Sequence, residues 1–314
     1  MRVATNSYIN TMIDEVNGLS SQMQTLQNEA TTGLSVQAPS DNPEAMENTL
    51  DDLSSQAAQN QYASNITTLQ SQGNNIYSAL QSLQTIVSQA ENIATEAGSA
   101  TNSQTDLNNY ASQVASLIQQ ALQVANTKDP TTGQYLFGGT NSGQPPFTAT
   151  TATNGNVTAV TYQGNSNVNQ VEIAPGVTVA VDVPGANTSG SGSPGLITDS
   201  QNGADLFNHL ITLQNDLSTG NTSAVTSTDA KNLQNDQNNV SYQVAYNGNV
   251  QTQLKTAASV ASSQSTSLDT TITNTSGANI VQVMLEMNQV QNSYTAALEA
   301  TSKVMQVSMV DFLA

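Results

Sequence analysis

The amino-acid sequence predicts a mainly α-helical protein, in which N- and C-terminal segments form a long coiled-coil helical rod with a small inserted β-domain. Three observations support this fold class. Apolar residues recur at alternating steps of three and four near both ends of the chain, which is the spacing of coiled-coil seams. Residues 44–96 contain no proline, so a long helix can form there. Residues 147–184 alternate in twos, as half-buried strands do.

The first helix is predicted over residues 5–32. Gly33 should end it, because glycine tolerates the left-handed backbone conformation of a helix C-cap. A 3-4-3-4 spacing places one residue per turn on a single face of this helix. That seam consists of Ile9, Met12, Val16, Leu19, Met23, Leu26 and Ala30.

A turn rich in helix-starting residues follows at positions 39–43. Ser40, Asp41 and Asn42 are all good N-cap residues, and Asp41 is interpreted as the cap. Pro43 suits the first helical turn, so the second helix should begin near it. This helix would continue to residue 96 and measure about 80 Å. A third helix is expected over residues 107–124, ending before the Asp-Pro pair at 129–130.

The hydrophobic period changes from helical to alternating in the middle of the chain, and residues 138–200 are predicted to form the inserted β-domain. After a Pro-Gly turn at 175–176, valines stand at 177, 179, 181 and 183. Four valines on one face predict a half-buried antiparallel strand. A Gly/Ser-rich stretch at 188–195 is typical of a flexible return loop.

Helices resume after this domain. A short helix is expected over 206–217 and a long one over 227–273, with a weak point at the Asn-Gly-Asn of 247–249 and a break at 274–277. The final helix carries a second seam of Val283, Met287, Val290, Tyr294, Ala297, Thr301 and Val304. Its further apolar residues spread around other faces and are Leu285, Leu298, Met305, Val307, Met309, Val310, Phe312 and Leu313. The methionines at 12, 23, 284, 287, 305 and 309 are assigned to the two terminal seams.

A helix that is apolar on several faces must be buried on several faces. Ordering each residue costs about 1–2 kcal/mol of backbone entropy, and one helix pair buries only part of each seam. We therefore hypothesise that both ends are disordered or loosely paired in the monomer and pack fully only among neighbouring subunits. The alternative is that both ends are buried against the chain's own rod. The predicted assembly interface comprises Ile9, Met12, Val16, Leu19, Met23, Leu26, Met287, Val290, Tyr294, Leu298, Met305 and Phe312.

Composition argues against several classes of function. Five basic residues against 23 acidic ones give a formal net charge of −18, so we expect neither nucleic-acid binding nor attraction to an anionic membrane. No apolar run is long enough for membrane insertion. The absence of cysteine excludes disulfides and thiol chemistry. The N-terminal stretch is amphipathic rather than continuously apolar, so no cleaved secretory signal is expected.

No candidate catalytic, metal or cofactor site stands out, so the protein is not expected to be an enzyme. His209 is the single histidine and lies beside apolar helix positions, where a structural role is usual. The carboxylates at 44, 47, 51 and 52 begin a helix, where they favour its dipole. No histidine or second acidic cluster accompanies them.

Several blocks of the chain resemble a known family. Residues 31–36, with Gly33, followed by Pro39, Asp41 and Pro43 in the turn at 39–43, resemble the N-terminal signature of flagellins in the form found in junction proteins. Residues 134–141 and 145–147 resemble a block typical of flagellar hook-associated protein 3, and 162–165, 171–176 and 183–185 continue it. Residues 289–313 match that family's C-terminal helix. The resemblance covers essentially the whole chain, in order.

The resemblance implies an extracellular axial protein of the bacterial flagellum that forms a short ring and joins the hook-side junction protein to the flagellin filament. It implies an inner domain (1–38 and 275–314), a helical rod domain (39–137 and 201–274) and an outer β-domain (138–200). Export would occur unfolded through the flagellar type III apparatus, with a cytosolic export chaperone bound before secretion.

Three alternatives remain at this point. A flagellin would form long filaments rather than a thin ring, and the block at 135–147 argues against it. An enzyme would need a nucleophile, base or metal set that the sequence does not display. A coiled-coil secretion translocator normally has an apolar membrane segment.

Overall fold

The structure, a computed structural model, describes the backbone of residues 2–99 and 101–313 and the side chains of residues 10–99 and 101–304. The chain divides into two compact units. One contains residues 1–59 and 263–314 and is called the terminal unit; the other contains residues 60–262 and is called the central unit. The boundary between them falls inside two long helices. The predicted fold class, mainly α with a small β insertion, is confirmed.

Seven α-helices and seven short strands make up the described chain. The helices are α1 (Arg2–Thr32), α2 (Pro43–Ala97), α3 (Gln104–Ala125), α4 (Leu206–Thr219), α5 (Thr222–Ala224), α6 (Ala230–Ser276) and α7 (Ile280–Leu313). The strands are β1 (Phe147–Thr151), β2 (Val157–Tyr162), β3 (Val171–Ala174), β4 (Val177–Val179), β5 (Ala186–Asn187), β6 (Thr198–Asp199) and β7 (Ala204–Asp205).

The strands form three small sheets. β1 and β2 pair antiparallel with Phe147 opposite Tyr162, and β3 pairs antiparallel with β4. β6 lies between β5, to which it is parallel, and β7, to which it is antiparallel. Each sheet is too small to be stable alone. Apolar residues on one face of the first two sheets join the helical core, which stabilises them.

One hydrophobic core fills the central unit. It combines residues of α2, α3, α4 and α6 with residues of the strands. Phe147 stands at the meeting point, with its ring 5.0 Å from that of Tyr162 and 5.5 Å from that of Phe207. Phe137, from the block at 134–141, is completely buried. The Tyr162 hydroxyl lies 3.0 Å from the Phe137 carbonyl oxygen, which fixes this block against β2.

The expectation for residues 177–183 is only partly correct. β4 ends at Val179, although the chain remains irregular and apolar beyond it, and Val181 and Val183 are buried. Val177, next to the turn, is 44% exposed rather than part of the buried face. The alternation was therefore a signal of burial at three of the four valines and not of strand pairing.

The long helix α6 is continuous through the expected weak point at 247–249 and ends three residues later than expected. The helix continues through Gly248, because neighbouring Val244, Val250 and Leu254 pack on the core and outweigh the low helix propensity of glycine. It also continues to Ser276, where residues 274–276 were expected to break it. A π-helical turn, Val225–Asp229, precedes α6.

Candidate assembly surface of the terminal helices

The two apolar seams predicted at the chain ends face each other in the terminal unit. Leu26 of α1 packs with Val283 and Val290 of α7 in a small core. Leu19, Met23, Ala30, Ala278 and Met287 surround it and are partly buried. The hydrophobic period of each helix thus identified the face on which the other helix packs.

The other residues of the predicted interface are covered less completely. Met12, Val16 and Tyr294 are half-buried, and Leu298 is 44% exposed. The side chains of Ile9, Met305 and Phe312 lie outside the described residues. A two-helix pair leaves the flanks of each seam in water, which explains why burial falls away from Leu26.

Backbone hydrogen bonds join the segment after α1, residues 33–35, to residues 276–278, at the end of α6 and before α7. We call this pairing the clasp. Gly33 has a φ of +74° and its N–H donates to the Glu29 carbonyl at 2.8 Å, as the sequence predicts for a left-handed C-cap. The Gly33 carbonyl then accepts from the N–H of Ala278 at 2.8 Å. The N–H of Ser35 donates to the Ser276 carbonyl, also at 2.8 Å. Sequence analysis did not identify this pairing, because it joins segments about 240 residues apart.

Asp41 has a different role from the one expected. Its Oδ2 accepts hydrogen bonds from the N–H groups of Gln37 and Ala38 at 3.0 and 2.8 Å. Those two bonds hold the pKa of Asp41 below its ordinary value. The N-cap of α2 is Asn42 instead, since its Oδ1 accepts from the N–H of Ala45 at 3.1 Å. Asp41 therefore fastens the turn that precedes the helix.

The two prolines of the turn frame this arrangement. Pro39 is exposed, between the segment that Asp41 fastens and the helix start. Pro43 is the first residue of α2, as predicted, where its missing N–H leaves no hydrogen bond unmade. The predicted turn residues Gly33, Pro39, Asp41 and Pro43 thus lie in one short connection between α1 and α2.

Carboxylates crowd one side of this connection. Burial, together with repulsion from Glu286 and Asp41, raises the pKa of Glu29 above its ordinary value. Gln56 of α2 donates from its side-chain amide to the carboxylate of Asp269 on α6. The Asp269 carboxylate thus has an uncharged amide as its hydrogen-bond partner.

Exposed apolar side chains concentrate in the terminal unit. Of the 14 large apolar side chains that are exposed among the described residues, nine belong to it. Val281 is 72% exposed, Leu285 66% and Leu50 56%. The others are Ile13, Leu34, Leu53, Ile280, Met284 and Leu298. Exposed apolar side chains in this number are typical of a surface that a partner covers.

The predicted interface does not include several of these exposed residues. Met284 was assigned to the seam but is 46% exposed and faces away from it. Ile280, Val281, Leu50 and Leu53 were not included at all. The excess of apolar residues around α7 could have indicated these positions, because apolar residues outside a single seam need another surface to cover them.

The histidine has a structural environment in the central unit. His209 Nδ1 lies 2.8 Å from Oδ2 of Asp236, whose Oδ1 accepts from the N–H of Asp205 at 2.9 Å. Burial acts to lower the pKa of His209, but the hydrogen bond and charge attraction of Asp236 outweigh it and leave that pKa raised. Burial raises the pKa of Asp236 to about 6. Here the imidazole compensates a buried carboxylate.

Asp229, close to this pair, has no comparable compensation. It is 1% exposed, and neither carboxylate oxygen accepts a hydrogen bond from a donor in the described chain. Burial and repulsion from the Asp216 carboxylate raise its pKa to about 6. Within the described ranges, no group of three or more metal-ligating side chains is arranged to hold a metal ion, and no helix has the length and apolarity needed to cross a membrane.

Comparison with known proteins finds a matching family model and several solved structures of similar fold. The model of the bacterial flagellin N-terminal helical region matches residues 3–142. A flagellar hook-associated protein structure from Vibrio parahaemolyticus matches with a TM-score of 0.64 and 20% identity, over 76% of this chain and 100% of that one. FlgL from Bacillus cereus matches with a TM-score of 0.56 and 16% identity, over 71% and 99% of the two chains. FlgL from Xanthomonas campestris gives 0.55 and 19%, over 69% and 98%. No curated protein matches the sequence.

Residues 3–142 of this chain are therefore similar to the N-terminal helical region of bacterial flagellins. The three solved structures share the fold of this chain, which agrees with the resemblance to flagellar hook-associated protein 3 stated above from the motifs.

Proposed function

We propose that this chain is the axial protein that joins the hook-side junction protein to the flagellin filament, and that it self-assembles into a short ring that templates filament growth. The observation that supports this most directly is the exposed apolar surface of the terminal unit, since nine large apolar side chains are left uncovered there. Surface of that kind is stabilised when neighbouring copies cover it.

The interface would combine the predicted seam with the side chains exposed around it. Met12, Val16 and Tyr294 are half-buried in the α1–α7 pair and would complete their burial between subunits. Val281 and Leu285 would be covered entirely by a neighbour. Under this proposal the inner domain comprises residues 1–38 and 275–314, the rod domain 39–137 and 201–274, and the outer β-domain 138–200.

The partners follow from this position. The ring would contact other copies of itself, the hook-side junction protein on one side and flagellin on the other. A flagellar export chaperone would bind the chain before secretion through the type III apparatus, and the folded protein would be extracellular. The high net charge of −18 would keep the monomer soluble until its terminal helices are covered.

Deletion of the gene, followed by complementation, tests the proposal. The expected phenotype is intact hooks without filaments and flagellin shed into the medium, with filaments restored by the wild-type chain. Filaments that persist after deletion would contradict the junction role. Purified protein that extends flagellin seeds into long filaments of its own would indicate a flagellin instead.

A further inference from the structure

Two exposed tyrosines stand one turn apart on α6 in the central unit. Tyr242 is 48% exposed and Tyr246 40%, which is unusual for large aromatic side chains outside a contact. Tyr242 separates two adjoining cavities of about 160 and 420 Å³, and Pro194 lines both. We call this surface, which also includes Asn202, Asn235 and Asn238, the tyrosine trough.

Polar groups in the trough have unused hydrogen-bonding capacity. The side chains of Asn235 and Asn238 make no hydrogen bond within the described chain, and the same is true of the hydroxyls of Tyr242 and Tyr246. Asn202 donates to Oδ1 of Asn239 at 3.1 Å, which leaves its own carbonyl oxygen unpaired and fixes its orientation. Each free amide offers two donors and an acceptor.

The trough is also rigidly built. Gln243, between the two tyrosines, is buried and donates from Nε2 to the Pro194 carbonyl at 3.0 Å. Asn239, also buried, donates to the carbonyls of Gly195 and Leu196 at 2.9 and 2.8 Å. These bonds attach the 194–196 segment to α6, so the wall of the trough opposite the tyrosines is preformed.

Charge restricts what can bind there. Asp182 is the one charged side chain lining the two cavities in the described ranges, and it is already bonded by Asn169 at 3.0 Å. The chain as a whole has a net charge of −18, which disfavours anionic ligands. An anionic occupant is therefore disfavoured. A neutral occupant that presents an apolar face to an aromatic ring and carries many groups that both donate and accept hydrogen bonds would use the tyrosines and the free amides together.

From these features we infer that the tyrosine trough binds a neutral oligosaccharide, with sugar rings stacked on Tyr242 and Tyr246 and hydroxyls bonded to the amides of Asn235 and Asn238. The C–H face of a pyranose ring is apolar and packs on an aromatic ring, while its hydroxyls both donate and accept. A protein surface that covered the trough with apolar side chains would leave the free amides without partners, which is unfavourable.

The test is titration of the folded full-length chain with three neutral probes, chitotetraose, cellotetraose and maltotetraose, by calorimetry and saturation-transfer NMR. At least one probe should bind saturably, with a Kd on the order of millimolar or tighter. Y242A and Y246A should each weaken that binding by about tenfold or more, which corresponds to about 1.4 kcal/mol. The matched control is Y77A, because Tyr77 is 39% exposed and lines neither cavity.

The double variant N235A/N238A keeps the test decisive if a tyrosine variant misfolds, since these amides make no internal hydrogen bond. It should lose affinity while retaining the wild-type circular dichroism spectrum and melting temperature. The inference is overturned if none of the three probes binds saturably, or if the tyrosine and asparagine variants bind as the wild type does. Loss of self-association in sedimentation velocity for Y242A, without oligosaccharide binding by the wild type, would show a subunit contact instead.

Discussion

The terminal and central units differ in how completely they bury their apolar side chains. Of the 46 buried apolar residues among the described side chains, only Leu26, Val283 and Val290 belong to the terminal unit. That unit nevertheless holds nine of the 14 exposed large apolar side chains. The central unit combines helices and strands around one core, whereas the terminal core lies between α1 and α7 alone. The difference is the one that the proposed assembly requires, because neighbouring subunits would cover the terminal unit whereas the core of the central unit is already buried within one chain.

The largest expected effect is the loss of filament assembly when the exposed apolar side chains of α7 are replaced by charged ones. V281D together with L285D places two charges on side chains that are 72% and 66% exposed in the single chain. The monomer should fold normally, but burying unpaired carboxylates between subunits is costly, so complemented cells should lack filaments. The readout is electron microscopy of cells and circular dichroism of the purified variant.

The matched control for this pair is V260D, since Val260 is 60% exposed in the central unit. It should restore filaments as the wild type does. Filaments on cells carrying V281D/L285D at wild-type length would show that this surface is not covered in the assembled flagellum.

Substitutions in the cores of the two units should lower the free energy of unfolding by different amounts. L80A removes a completely buried side chain from the central core and should lower the free energy of unfolding by about 3–5 kcal/mol. L26A truncates the centre of a small two-helix core, where relaxation is easier, and should cost about 2 kcal/mol or less. Urea unfolding followed by circular dichroism and by hydrogen exchange resolves the two effects. If L80A and L26A lowered the free energy of unfolding equally, and both lowered protection along the whole chain, the difference between the two units would be contradicted.

The buried acid Asp229 should make the central unit less stable as pH rises. Its pKa in the folded state is about 6 against an ordinary value of 3.8, so folding favours the protonated form. The stability it supports is complete below about pH 4 and is lost as pH rises through 6. His209, whose pKa is also raised, contributes in the same direction. Urea midpoints should therefore be higher at pH 5 than at pH 8.

D229N should remove most of this dependence. At pH 8 the variant should gain about 1–2 kcal/mol, because an amide needs no charge compensation, while at pH 4 the gain should vanish. D51N, at an exposed carboxylate, should leave the midpoints unchanged at both pH values. A D229N variant that is less stable than the wild type at pH 8 would indicate a partner that compensates the ionised carboxylate.

The smallest expected effect concerns the clasp of the terminal unit. G33A forces a side chain into a backbone with φ of +74°, at a cost of about 1–2 kcal/mol. No other atoms crowd that position, so the cost arises from the backbone conformation alone. G18A, in the interior of α1 and equally uncrowded, should instead stabilise the helix by about 0.5–1 kcal/mol. Melting curves of the two variants should shift in opposite directions.

The sequence predicted what depends on local pattern. The seams of α1 and α7, the C-cap at Gly33 and the start of α2 at Pro43 all follow from spacing and local backbone preference. Long-range features escaped it. The clasp between Gly33 and Ala278 joins backbone groups that are far apart in the sequence, and a local pattern does not contain that information. The role of Asp41 was missed because several adjacent residues could have capped the helix.

Burial was similarly predictable only in part. Alternation identified Val179, Val181 and Val183 as buried but could not show that pairing stops at Val179. Excess apolarity around α7 predicted an interface, yet the single-seam template left out Val281, because that template asks only which residues share one face. Which residues remain exposed depends on how many partners a helix has, and one helix pattern does not contain that number.

Native-state hydrogen exchange tests the central claim most directly, by comparing the purified monomer with the same chain assembled in hook–filament particles. We predict weak protection of α1 and α7 in the monomer beside strong protection of α3 and α4, followed by a large gain in α1 and α7 on assembly. If α1 and α7 are as protected in the monomer as α3 and α4, the terminal unit is stable without neighbours, which contradicts the proposal that subunit contacts stabilise it.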